Sequence, residues 1–324
     1  MKGAAAAPGA ATVLNALATG RGAAFAIDVE TRATVTLSAG KSQVSGEIAG
    51  ELDGDTRLIE RCVERVVDRF GDGEGGVVRT ESDVPMAAGL KSSSAAANAT
   101  VLATLDALGV DVVDPDGATE VGGGDDNPGS ADSDVDAGDA GDADADIDDH
   151  TDRLTFLDAC RIGVASARDV GVTITGAFDD ASASMIGGVV VTDNTDDALL
   201  ARAERAWDVL VWTPPERAYS ADADVARCQD IAPMADLVCE LALDGRFGEA
   251  MTVNGLAYSA ALGFSTDPAV EAMTHADGVS LSGTGPSVVA VGDSASLSAV
   301  GDRWRERDGT VIETTTRRTG ARIL

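Results

Sequence analysis

Apolar residues recur along this chain with two periods, and the switches between them mark its elements. Residues 10–37 read as strands around turns: "GAAFAIDV" is an apolar run, and "RATVTL" alternates β-branched with polar positions. In "TRLIERCVERVVDRF", Leu58, Ile59, Cys62, Val63, Val66, Val67 and Phe70 fall on one helical face, which Gly71 stops. A short strand follows. Then comes "VPMAAGLKSSSAAANAT" at 84–100, opening an alanine-rich helix to about Gly109 with Leu102, Leu105 and Leu108 as its apolar stripe. After residue 152 the pattern predicts a helix over "RLTFLDACRIGVASARDVG" and a strand and turn over "VTITGAFDDASASMIGGVVVTDN". The strand "DVLVWTP", helices near 221–243 and 246–262, the segment "GVSLSGTGPSVVAVG", a helix at 294–306 and closing strands complete the chain. Strands and helices without regular alternation indicate an α+β architecture in two halves, and no internal repeat is visible.

Residues 111–152 break the pattern. They hold 16 acidic residues, no Lys or Arg and no aromatic ring. Such a stretch cannot bury enough apolar surface to offset its ordering entropy, so it reads as a disordered surface insertion. Its "DADADIDD" is rich in oxygen donors for calcium, but the glycine and terminal glutamate of an EF-hand loop are missing.

Charge changes the picture most. Asp and Glu number 55 against 24 Lys and Arg, a net −31, and the only lysines are Lys2, Lys41 and Lys91. Acidity this strong repels nucleic acid and anionic membranes, which argues against both as partners. Spread along the whole chain with lysine almost absent, it matches adaptation to molar intracellular salt, where screening makes high charge tolerable, and so a halophilic archaeon. Cys62, Cys160, Cys228 and Cys239 have no C-x-x-C spacing and read as reduced core thiols of a cytoplasmic protein. The opening "MKGAAAAPGAATVLNALATG" is interrupted by Pro8, Gly9 and Asn15, and reads as strand and turn rather than a signal peptide. His150 and His275 read as surface residues.

The candidate chemistry lies at 85–95. Serines are favoured at helix N-termini, where amide N–H groups lack partners, and a glycine loop entering such a terminus suits phosphate. A P-loop is excluded, because Leu90 separates Gly89 from Lys91 and Val84 stands where its first glycine belongs. No dinucleotide fingerprint follows a strand. What remains is the pattern P-x-x-x-G-L-x-S-S-[SA]-A.

That pattern resembles the second motif of the GHMP kinase superfamily, whose members phosphorylate small alcohols such as galactose, homoserine and mevalonate. Lys91, where the family usually has glycine, is similar to the archaeal shikimate kinases, as are "GAATVLNALATGRGAAFAID" and "TGAFDDASASMIGG". "LSGTGPSVVAV" at 281–291 resembles the third motif. The resemblance implies a two-domain fold: an N-terminal domain over 1–198 like domain 2 of ribosomal protein S5, and a ferredoxin-like C-terminal domain over 199–324. It implies Mg²⁺ and ATP as cofactors and shikimate as substrate, with 3-phosphoshikimate as product. Another small-alcohol kinase, homoserine first, and a non-catalytic metabolite-binding protein are the rival expectations. By position, Pro85, Met86, Ala87, Ala88, Gly89, Leu90, Lys91, Ser92, Ser93, Ser94 and Ala95 would wrap the triphosphate. Ser93 would touch Mg²⁺, and Lys91 a phosphate. The general base falls on Asp179 or Asp180: context favours the first and distance to Gly187-Gly188 the second. A neighbouring carboxylate could raise the base's pKa. The motif-one lysine that pairs with the catalytic aspartate in several members is replaced by Ala10, leaving Arg21 or Asn15 to serve; Asp169 stays unassigned as a metal ligand. Oligomeric state is not legible.

Overall fold

A long antiparallel hairpin, β1 (Lys2–Leu14) and β2 (Arg21–Ser38), is the spine of the first sheet. The second edge of β2 is shared between two strands. Arg21–Phe25 pairs with β7 (Val189–Asp193), and Thr31–Ser38 pairs with β4 (Gly75–Ser82). A crossover through α1 (Arg57–Phe70) sets β3 (Val44–Ile48) parallel to β4. β8 (Ala198–Ala203) extends the sheet beyond β7, and β13 (Arg322–Ile323) adds to the free side of β1. The N-terminal segment thus forms a buried strand inside this sheet, as its reading as strand and turn expected. The computed structural model describes residues 1–51, 53–83, 89–113, 153–216 and 223–324. The expected phosphate-loop residues Pro85, Met86, Ala87 and Ala88, the insertion from 114 to 152 and His150 lie outside them. At the insertion's edges, β5 (Val112–Val113) pairs with β6 (Leu154–Thr155).

On this sheet lies α2 (Ser92–Leu108), with α1, α3 (Phe156–Asp169) and α4 (Phe178–Ile186) packed around it. The stripe expected on α2 is too narrow: Ala95, Ala99, Val101, Leu102, Ala103 and Leu105 are all buried, so the helix is enclosed on nearly every side. Its small alanines let the neighbouring elements approach closely. Thr155 and Asp158 form a reciprocal capping box that starts α3. The expected strand and turn at 172–194 is corrected by α4. "FDDASASM" has no β-branched residue, so its small side chains cost little in a helix and pack against β1, β2 and β7.

The second sheet has the order β10 (Gly278–Leu281), β11 (Val288–Gly292), β9 (Asp208–Thr213), β12 (Thr310–Thr315), all antiparallel. Between β9 and β10 run α5 (Val225–Gln229), α6 (Ala232–Leu243), α7 (Phe247–Leu262) and α8 (Asp267–Ala272); α9 (Ser294–Arg305) joins β11 to β12. Strand–helix–strand–strand–helix–strand in this order is the ferredoxin-like arrangement. The partition expected after residue 198 falls within β8, which still belongs to the first sheet; the second begins at Asp208. The two sheets share apolar packing. Ala11, Val13 and Phe25 cluster with Val211, Val289 and Val291 across α6 and α7. All four cysteines are free and buried, and no helix among the described residues is long and apolar enough to cross a membrane.

Candidate active site

The second motif meets the first and third where α2 begins. Lys91 occupies the helix N-cap in the left-handed region (φ 61°, ψ 36°), and among the described residues no side chain caps α2. The first-turn amides of Ser92, Ser93 and Ser94 are therefore left for other acceptors. The Ser93 side chain is exposed, while Ser92 and Ser94 are half-buried. Leu90 is buried in the shared core, and its carbonyl accepts from the Ala10 amide at 3.3 Å. The Ser282 hydroxyl donates to the Gly89 carbonyl at 2.7 Å. The Gly283 amide donates to Thr12 Oγ1 at 2.9 Å, and Asn15 Nδ2 donates to the Gly283 carbonyl at 2.7 Å. Gly283 has φ +59°, and a Cβ there would lie 2.9 Å from Lys91 Nζ. Glycine leaves the ammonium its space.

That ammonium reaches α4. Lys91 Nζ donates to Asp180 Oδ2 at 2.6 Å. Asp179 and Asp180, both in the first turn of α4, are only 4% and 5% exposed, so water does little to stabilise their charge. Asp180 Oδ1 has no hydrogen-bond partner among the described residues. Asp179 is held differently: Asn194 Nδ2 donates to its Oδ1 at 2.8 Å, and its own amide donates to Asn194 Oδ1 at 3.1 Å. A Cβ on Gly22 would fall 2.6 Å from Asp179 Cγ, so the β2 backbone lies directly against that carboxylate. Burial, then the charge of Asp179, push the Asp180 carboxyl up to about 7, while Lys91 opposes the rise. A carboxylate with one free oxygen and a proton affinity near neutrality is suited to general-base work.

Residues 57–131 match the family model of the GHMP kinases N terminal domain, and residues 240–309 that of the GHMP kinases C terminal domain. A shikimate kinase of Halobacterium salinarum is 58% identical over 322 residues, covering 99% of each chain. The chain belongs to the GHMP kinases. Within them, a shikimate kinase of Methanococcoides burtonii is 43% identical over 309 residues, 94% of this chain and 93% of its own. The crystal structure of homoserine kinase from Cytophaga hutchinsonii superposes with a TM-score of 0.69 at 16% identity, covering 100% of this chain and 97% of that one, a likeness of fold.

Several residues of this GHMP kinase sit where the sequence did not put them. Lys91, expected on a phosphate, has the buried Asp180 as its direct partner among the described residues. Asn15, considered as a partner for the base, accepts from the Leu17 amide and donates to Gly283, and Arg21 stands exposed at the start of β2. Asp169 is clamped by Arg61 at 2.7 Å and Arg65 at 2.9 Å, and those guanidiniums, Arg65 first, hold its carboxyl down to about 2. It ties α3 to α1 rather than facing a metal. His275 is half-exposed in the turn after α8. Asn194, Thr192 and Gly22 were not found from sequence. Asn194 closes "VVVTDN", a composition that reads only as a turn, and nothing in spacing links it to Asp179.

Proposed function

We propose that this chain is a shikimate kinase, transferring the γ-phosphoryl group of ATP to a hydroxyl of shikimate to give 3-phosphoshikimate, in the cytoplasm. The observation that carries the reading is the buried Asp180: one oxygen is paired with Lys91 at the head of α2, and the other has no hydrogen-bond partner among the described residues. The names and identities of the relatives supply the substrate.

The residues at the head of α2 fit a magnesium-bound triphosphate. The uncapped first-turn amides and the helix dipole offer donors and positive potential to the phosphates. The exposed Ser93 hydroxyl is a hard oxygen ligand of the kind Mg²⁺ accepts, and Ser93 would hold the metal. Bound Mg-ATP supplies an electrophilic phosphorus with its charge partly neutralised. The protein's own part is positioning and proton handling. Asp180 Oδ1 takes the proton of the substrate hydroxyl as that oxygen bonds to phosphorus, and ADP departs. Lys91 holds Asp180 in place and keeps its proton affinity from rising further. Proton transfer to such a base contributes about 10²–10⁴ in rate.

The test is ADP release in molar KCl with Mg-ATP and shikimate, homoserine or mevalonate. Turnover with shikimate alone is expected, and Asp180→Asn should lower kcat by about 10²–10⁴ while ATP still binds. Turnover with another alcohol refutes the substrate, and an active Asp180→Asn refutes the base.

A further inference from the structure

Two adjacent buried aspartates pose a problem that one base does not. Like charges this close compete for a proton, and a pair with equivalent surroundings would share it between them. The surroundings here are unequal, and the inequality comes from β7. Asn194 is 3% exposed, and both ends of its side-chain amide are occupied. Its Nδ2 donates to Asp179 Oδ1 at 2.8 Å. Its Oδ1 accepts from the Asp179 amide at 3.1 Å and from the Thr192 hydroxyl at 2.8 Å. The amide orientation is thereby fixed, because a flipped Asn194 would set two acceptors against each other at Asp179 Oδ1 and two donors against each other at the Asp179 amide. The backbone is tied as well: the Asn194 amide donates to the Gly20 carbonyl at 2.9 Å, and Arg168 donates to the Asn194 carbonyl at 3.1 Å. Arg168 is itself held by both oxygens of Asp197, at 2.6 and 2.7 Å.

We propose that Asn194 is a positioning residue that assigns the two aspartates their roles, holding the Asp179 carboxylate in place and leaving Asp180 as the proton acceptor. The proposal rests on the kinase reading above. The Asn194 donor holds Asp179 Oδ1, and Gly22 leaves the carboxylate no room to swing towards β2. Asp180 receives no such donor from β7. Its facing charges are Lys91 at the head of α2 and Asp179 beside it on α4. On the α7 side Tyr258 is neutral, its hydroxyl donating to the Asn15 carbonyl at 2.7 Å. Burial raises the Asp180 proton affinity, and the Asp179 carboxylate that Asn194 holds beside it raises it further.

Asn194→Ala tests this through the pH dependence of kcat. Without Asn194 the Asp179 carboxylate is free to swing away from Asp180, whose proton affinity then falls, so the acid limb should move down by about half a unit to one unit. On the plateau above the limb kcat should fall severalfold, because the weaker base takes the proton less readily, with KM for ATP within twofold of wild type. Thr192→Val is the gentler variant, which removes the hydroxyl that donates to Asn194 Oδ1 and so loosens that side chain; it should move the limb the same way by less, and it carries the test if Asn194→Ala does not fold. A limb that stays in place or moves up in the folded variant overturns the proposal. Asp180→Asn, assayed alongside, separates the two failures. If it is inactive while Asn194→Ala keeps the wild-type profile, only the role of Asn194 falls; if it is active, the base assignment falls with it.

Discussion

Replacing Lys91 by methionine separates two roles its ammonium could serve. The side chain is unbranched and similar in volume, so packing under Gly283 is largely kept while the charge is lost. In the native structure Lys91 Nζ lies 2.6 Å from Asp180 Oδ2, with both side chains about nine-tenths buried. Removing one partner of a buried pair costs about 3–5 kcal/mol. At 1.36 kcal/mol per unit, this corresponds to about 2–4 units on the Asp180 proton affinity if it is all expressed there. The sign matters. The folded pKa of Asp180 is already raised, to about 7, so its ionised form is the disfavoured folded species. The fold therefore loses stability as pH climbs from the unfolded carboxylate range towards 7, and Lys91→Met extends that loss to higher pH. The variant should be close to native stability at pH 6, where Asp180 takes up a proton, and weaker at pH 9. Its kcat at pH 7 should fall by about 100-fold and recover about tenfold per unit as pH rises, read as ADP release from pH 5.5 to 9.5 in molar KCl. A wild-type acid limb with a greatly raised KM for ATP would refute the reasoning and return Lys91 to the phosphates.

Three further outcomes follow from the same geometry. Gly22→Ala puts a methyl 2.6 Å from Asp179 Cγ, and should cost about 1–3 kcal/mol in chemical denaturation and lower kcat; a variant with native stability and turnover would mean that the contact is not tight. Asp169→Asn breaks a partly exposed cluster with Arg61 and Arg65, so it should change stability by less than about 1 kcal/mol and leave kcat intact. The lowered Asp169 pKa contributes stability above the unfolded carboxylate range that is lost as pH falls through about 2; a collapse of activity in Asp169→Asn at neutral pH would show a metal role instead. With a net charge of −31, melting temperature should rise as KCl goes from 0.1 to 2 M, because the screening length falls from about 10 Å to below about 3 Å; a flat profile would count against salt adaptation.

What the sequence made legible was local or carried by motif. Helix α1 was readable because its apolar positions repeat with helical period and Gly71 ends it. The aspartate pair and the serine-headed helix were readable from short patterns. Lys91 pairing with Asp180 was not, because it joins residues 89 apart and depends on a left-handed backbone at Lys91 with no side chain at Gly283. Helix α4 was hidden because alanine and serine carry no periodic contrast, and its flanking "VTIT" and "VVVT" pulled the reading towards strands. Asn194 shows the same limit: its role exists only once β7 lies beside the head of α4.

The shared packing of the two sheets has a consequence for how this enzyme comes apart. Val289 and Val291 of the second sheet lie in one apolar cluster with Ala11 and Phe25 of the first, and β13 returns from the second half to pair with β1. Among the described residues there is no seam along which either half could melt while leaving the other's core dry. Unfolding should be a single cooperative event, and a half expressed alone should expose that cluster and aggregate. Exchanging one half with that of a distant relative would mean recutting the buried surface of both.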